Sequence, residues 1–131
     1  MPRSILIVDD NAPFRGMLKS MLKMRGYEAV GASSAATGLK LAADLPIDGV
    51  LVDYDMPDTN GLEFCQLLRE QNRSTGRTMP VWLMTGTLAP EVGKRADEVG
   101  ALLVLRKPFN MDEICGQLER EFERGADAPL S

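Results

Sequence analysis

Three acids, a hydroxyl and an ammonium stand where apolar runs of this chain stop. Asp9-Asp10 follows Ser4-Ile5-Leu6-Ile7-Val8, and Asp53 follows Val50-Leu51-Val52. Thr85 follows Val81-Trp82-Leu83-Met84, and Lys107 closes the run that begins at Leu102. An isolated ionised group is costly to bury, so a strand that reads Val-Leu-Val-Asp needs a reason for its last residue. Carboxylates brought within a few ångströms repel one another and become tolerable around a small divalent cation. Mg²⁺ suits them: it takes oxygen ligands, keeps several waters and is held by one or two carboxylates plus phosphate. Lys107 and Thr85 add a compact positive charge and a hydroxyl donor, which match phosphoryl oxygens. In such a setting a carboxylate can attack phosphorus and form an acyl phosphate.

The elements between these runs decide whether the groups meet. Phe14, Met17, Leu18, Met21 and Leu22 follow the i, i+3, i+4, i+7, i+8 stripe of an amphipathic helix. Pro13 suits its first turn and Gly26 its C-terminal cap, with Met17, Met21 and Met24 read as core filler. Residues 27–32 read as a second strand. A helix follows, capped by Ser33-Ser34, running through about Asp44 and stopped by Pro46. A third helix is expected over residues 60–71 with Leu62, Cys65 and Leu68 inward, followed by a polar loop over 72–78. A short fourth helix begins near Pro90 and ends by Gly100, and a fifth carries Met111, Ile114, Cys115, Leu118 and Phe122 on one face. Residues 125–131 read as a polar, frayed tail, which leaves 1–124 as the domain.

Five strands alternating with five helices imply an α/β fold with right-handed crossovers: a (βα)5 doubly wound, five-stranded parallel sheet covered by helices on both faces. In the flavodoxin-like order 2-1-3-4-5 the strand order reverses between strands 1 and 3, and ligands bind outside the carboxyl ends at that reversal. Those are the strands ending in Asp9-Asp10 and Asp53.

At 131 residues the chain has the length of one domain. Its net charge of -4 argues against direct nucleic-acid binding, which needs a basic face. No run approaches a membrane span, and no signal peptide precedes the first strand. The absence of histidine removes His triads, His metal sites and His general bases. Cys65 and Cys115 read as buried free thiols of a reducing compartment.

Four motifs in order, each at a strand end, carry a specific resemblance. They are Val8-Asp9-Asp10-Asn11, Val52-Asp53-Tyr54-Asp55-Met56-Pro57 with Asn60-Gly61, Met84-Thr85-Gly86, and Arg106-Lys107-Pro108-Phe109. Over about residues 3 to 124 the chain resembles the receiver domain of bacterial two-component response regulators, of the chemotaxis-regulator kind. The resemblance implies that Asp53 is the phosphoacceptor. It implies that Asp9, Asp10, Asp53 and the Asp55 backbone carbonyl hold Mg²⁺, which Mn²⁺ can replace. Thr85 would be the switch hydroxyl and Lys107 the phosphate-binding lysine, with a cis Lys107-Pro108 bond. The implied donor is a sensor histidine kinase or a histidine phosphotransfer protein in the cytoplasm. The chain would be a self-phosphorylating acceptor with autodephosphorylation, not a turnover enzyme. Its output face would be built by the fourth helix, fifth strand and fifth helix, which also offers a surface for homodimerisation.

The chain departs from the family pattern at three positions. Val104 stands where an aromatic ring usually follows the moved threonine, so the output is expected to lean on the fourth helix and its preceding loop. Asp55 and Thr87 stand where the family lines the route of attacking water. Two other readings remain. Asp53-x-Asp55 also matches the Asp-x-Asp of haloacid-dehalogenase-like phosphatases, although those place it before the other acids. A receiver-like module that binds partners without phosphorylation is the other.

Overall fold

The computed structural model describes residues 2–57, 59–85, 90–105 and 111–127. Strands and helices alternate along it: β1 (Ser4–Val8), α1 (Ala12–Met24), β2 (Glu28–Ala32), α2 (Ala35–Asp44), β3 (Gly49–Asp53), α3 (Gly61–Thr75), β4 (Val81–Thr85), α4 (Pro90–Val99), β5 (Leu102–Leu105) and α5 (Met111–Asp127). The strands form one sheet in the expected order β2-β1-β3-β4-β5, and every pair is parallel.

Alternation along the strands divides the core in two. Leu6, Val8, Val50, Val52 and Leu83 join Ala35, Leu62, Phe64, Leu68 and Ala96 on the α2, α3 and α4 face. Ile5, Ile7, Leu51, Trp82 and Met84 join Leu18, Leu22, Ile114, Leu118 and Phe122 on the α1 and α5 face. With both faces covered, β1, β3 and β4 have no polar side, which explains their apolar runs. Trp82 meets Phe122 edge to face at 5.9 Å between ring centroids, a favourable aromatic geometry.

Side chains fix the helix starts nearest the strand ends. Asn11 Oδ1 accepts the Phe14 N–H at 3.0 Å, and Asn60 Oδ1 accepts the Glu63 N–H at 2.9 Å. Ser34 caps α2 in the same way through the Thr37 N–H. Each such cap contributes about 1 kcal/mol. The caps at Asn11 and Asn60 also set where α1 and α3 leave the acids that precede them.

Three expectations are corrected. Residues 72–75 continue α3 and do not form a loop: the Ser74 and Thr75 hydroxyls donate back to the Gln71 and Asn72 carbonyls. The helix ends at Gly76, whose φ of 74° is the left-handed cap that glycine tolerates. Met17 and Met24 are 48% and 85% exposed, so they do not fill the core. The buried stripe of α1 is Leu18 and Leu22, and positions one before and two after that stripe turn to solvent. Residues 125–127 belong to α5 and not to the tail. Ala126 favours helix, and one glycine costs only about 1 kcal/mol inside it.

Candidate functional site

The parallel register carries the acids to one place. Val8 pairs with Val52, so Asp9 and Asp53 are the next residues along two neighbouring strands. Asp9, Asp10 and Asp53 each offer a carboxylate oxygen, and these oxygens all lie within 4.8 Å of one another. Asp9 is fully buried, Asp53 is 3% exposed, and Asp10 is open to solvent. Thr85 is buried at the end of β4, one step beyond Met84, the register partner of Asp53. Asp55 is exposed just after Asp53, and its N–H donates to Asp53 Oδ1 at 3.4 Å. Lys107 and Thr87 lie outside the described residues. Val104 pairs with Met84 across β4 and β5.

Backbone groups orient the buried acids. The Asn11 N–H donates to Asp9 Oδ1 at 2.9 Å. The Asp9 N–H is tied to the Ala32 carbonyl at 3.1 Å, and the Tyr54 N–H to the Met84 carbonyl at 2.9 Å. The carboxylates are therefore aimed by the ends of the ladder, not by flexible loops. A donor set made only of carboxylate oxygens, two of them buried, suits a hard divalent cation such as Mg²⁺ and offers nothing to a soft one. Like charges this close repel strongly at reduced dielectric, and a cation among them removes that cost.

Two supporting residues were not anticipated. Arg15, one turn into α1, donates from its guanidinium to the Asp9 carbonyl at 2.6 Å. Its stem lies against β2, where a Cβ at Gly31 would fall 2.9 Å from Arg15 Cδ. A glycine inside a strand signals such a close approach, although it does not name the visitor. Gly61, quoted above within a motif, has a geometric role of its own. Its N–H donates to the Tyr54 carbonyl at 3.0 Å. A Cβ there would come within 2.8 Å of the Asp53 carbonyl oxygen. Only a residue without a side chain lets α3 start directly against the strand end that carries Asp53.

Residues 5–119 match the response regulator receiver domain family model. The chain belongs to that family. Among curated relatives, a probable transcriptional regulatory protein of a Picosynechococcus strain is 35% identical over 117 residues, covering 84% of this chain and 45% of that protein. The regulatory protein AtoC of Escherichia coli is 36% identical over 110 residues, covering 84% of this chain and 23% of that protein. The receiver chain thus spans less than half the length of either relative. Among solved structures, the chemotaxis protein CheY4 of Vibrio cholerae superposes with a TM-score of 0.84 at 30% identity, covering 92% of this chain and 98% of that one. The order of strands, the helices on both faces and the acidic strand ends are those of a two-component receiver domain. No described helix is long and apolar enough to cross a membrane.

Proposed function

We propose that this receiver takes a phosphoryl group onto Asp53 from a histidine on a partner kinase or phosphotransfer protein. The observation that carries the reading is the convergence of Asp9, Asp10 and Asp53 within 4.8 Å at the strand-order reversal. An Asp53 carboxylate oxygen attacks phosphorus, the bond from phosphorus to the donor nitrogen breaks, and its electron pair stays on the imidazole. The product is an acyl phosphate at the end of β3. Asp9, Asp10, Asp53 and the Asp55 carbonyl would hold Mg²⁺, or Mn²⁺ in its place. Bound there, the metal neutralises charge on the transferring group. The Thr85 hydroxyl and Lys107 serve as hydrogen-bond and charge partners of the phosphoryl oxygens.

Phosphorylation adds about -1.5 to -2 charges at Asp53, and the switch follows from what answers that charge. Val104 brings no ring to follow Thr85, so the output leans on α4 and the loop before it. The receiver unit runs through the end of α5 and works in the cytoplasm, with autodephosphorylation resetting it. Intact-mass measurement with Mg²⁺ and acetyl phosphate tests the reading. A gain of one phosphoryl group is expected, lost in Asp53→Ala. Continuous turnover of a phosphomonoester would identify a phosphatase instead, and no mass gain at all would identify a phosphorylation-independent module.

A further inference from the structure

At the opposite end of the sheet, between the last turns of α3 and α4, lies a cavity of about 390 Å³. Val81 is on its wall and begins β4. Thr85 ends the same strand, so the cavity is roughly 13 Å from the acid cluster at about 3.3 Å per residue. Its floor is apolar, with Cys65, Leu68, Met79 and Val99. Its rim is cationic, with Arg69, Arg73 and Arg77, and no carboxylate lines it among the described residues. In a chain of net charge -4 that concentration of arginine is unusual.

Two of the arginines have structural duties. Arg77 donates to the Ala42, Ala43, Leu45 and Ile47 carbonyls at the end of α2, and Arg69 donates to the Glu98 carbonyl on α4. Arg73 has no hydrogen bond or ion pair to any described residue. Asn72 is the second observation. It is 9% exposed on the cavity wall, and its side-chain amide, open to water there, has no described hydrogen-bond partner.

We infer that this cavity is a binding site for a small amphipathic organic anion, an apolar ring or branched chain bearing one carboxylate or phosphate. The apolar body rests on Leu68, Met79 and Val99, the anionic group meets Arg73, and Asn72 supplies a hydrogen bond within. The volume lies in the lower part of the range for small-molecule sites, and an apolar lining with a few convergent polar groups is their usual make-up. The site is independent of the phosphoryl chemistry at Asp53.

Titration of the ¹⁵N-labelled chain with 2-naphthoate and, separately, 2-naphthyl phosphate tests the assignment. Saturable amide shifts confined to residues 65–81 and 99–101 are expected for at least one of the two, and the stronger binder identifies the anionic group. Arg73→Glu, at an exposed position, should weaken binding at least tenfold with the rest of the spectrum retained. Asn72→Leu, where it folds, should weaken it as well. Equal binding of neutral 2-naphthalenemethanol would overturn the proposal. So would the same shifts from inorganic phosphate alone, unchanged affinity in Arg73→Glu, or no saturable shift with either probe.

Discussion

At the carboxyl ends of β1 and β3 the chain gathers acids, and around the start of β4 it gathers arginines. The two groupings are built differently. Arg77 and Arg69 point their guanidinium groups at carbonyls near the ends of α2 and α4, where the helix dipole leaves partial negative charge. Those two charges meet their complements within the fold, and exposed Arg73 alone among the three has no such described partner. Asp9, Asp10 and Asp53 instead put like charges beside one another, two of them out of water. Arginine at one end builds the structure, whereas the acids at the other end stress it. A charge cluster that costs stability and is nonetheless fixed by backbone hydrogen bonds is the mark of a site.

The sharpest way to break that contrast is to neutralise one buried acid. Asp9→Asn keeps Oδ1 for the Asn11 N–H and removes one negative charge. Without metal the variant should be at least as stable as the parent in urea, because repulsion falls. At Mg²⁺ a hundredfold above its dissociation constant the parent should gain about 2.7 kcal/mol, and the variant much less. An equal Mg²⁺ response in both proteins would remove the acids from the metal site.

Substitutions that leave the charges alone probe each end as structure. Gly61→Ala should cost about 1–3 kcal/mol, the usual range for overpacking. Leu83 can shift away from the added methyl group, but the Asp53 carbonyl oxygen is backbone and cannot. At the other end, Arg77→Ala should cost about 1–2 kcal/mol, since the α2 carbonyls turn to water for their hydrogen bonds. Its Mg²⁺ response should be unchanged. Arg77→Lys should rescue little, because one ammonium lacks the planar fork that reaches several carbonyls. Urea midpoints with and without Mg²⁺ check both, and a lost metal response in Arg77→Ala would mean that the two ends are coupled.

The acid end was the more legible of the two in the sequence. A carboxylate after Val50-Leu51-Val52 breaks an apolar strand, and that break is visible without coordinates. The order of the elements then gives the topology, and with it the meeting of Asp9 and Asp53. Gly61 stood in a quoted motif, but the reason for it, backbone packed on backbone, is a tertiary contact. Arg15 could not be found, since one arginine on an amphipathic helix looks like any solvated one. The arginine end was illegible for the same reason. Arg69 falls on the expected third helix, and Arg73 and Arg77 fall in the expected loop over 72–78. The continuation of α3 to Thr75 is what brings Arg69 and Arg73 to one cavity with Arg77. Helix ends were the weakest part of the reading: Gly76 sets the true end of α3 by its left-handed turn, and a polar run just before it imitates a loop.

Cys65 gives the finest distinction between the two ends, and it has no effect near neutrality. The thiol lies on the floor of the arginine-rimmed cavity, and burial pushes its pKa up to about 12 from 9.0. Desolvation of the buried sulfur is the cause, while Arg69 and Arg77 direct their guanidinium groups at helix carbonyls. The folded state therefore holds this proton where the unfolded chain has released it. Below pH 9 both states keep the proton and stability is unaffected. From pH 9 toward about 12 the native state binds more protons than the unfolded state, so stability falls with rising pH. The slope approaches about 1.4 kcal/mol per pH unit. Stability of the parent measured against Cys65→Ala cancels the titration of Cys115, Tyr27 and the lysines. The difference should be flat from pH 6 to 8 and then shift against the parent above pH 9. A difference that stays flat through pH 10.5 would mean that the arginines stabilise the thiolate, and that their charge reaches the cavity floor after all.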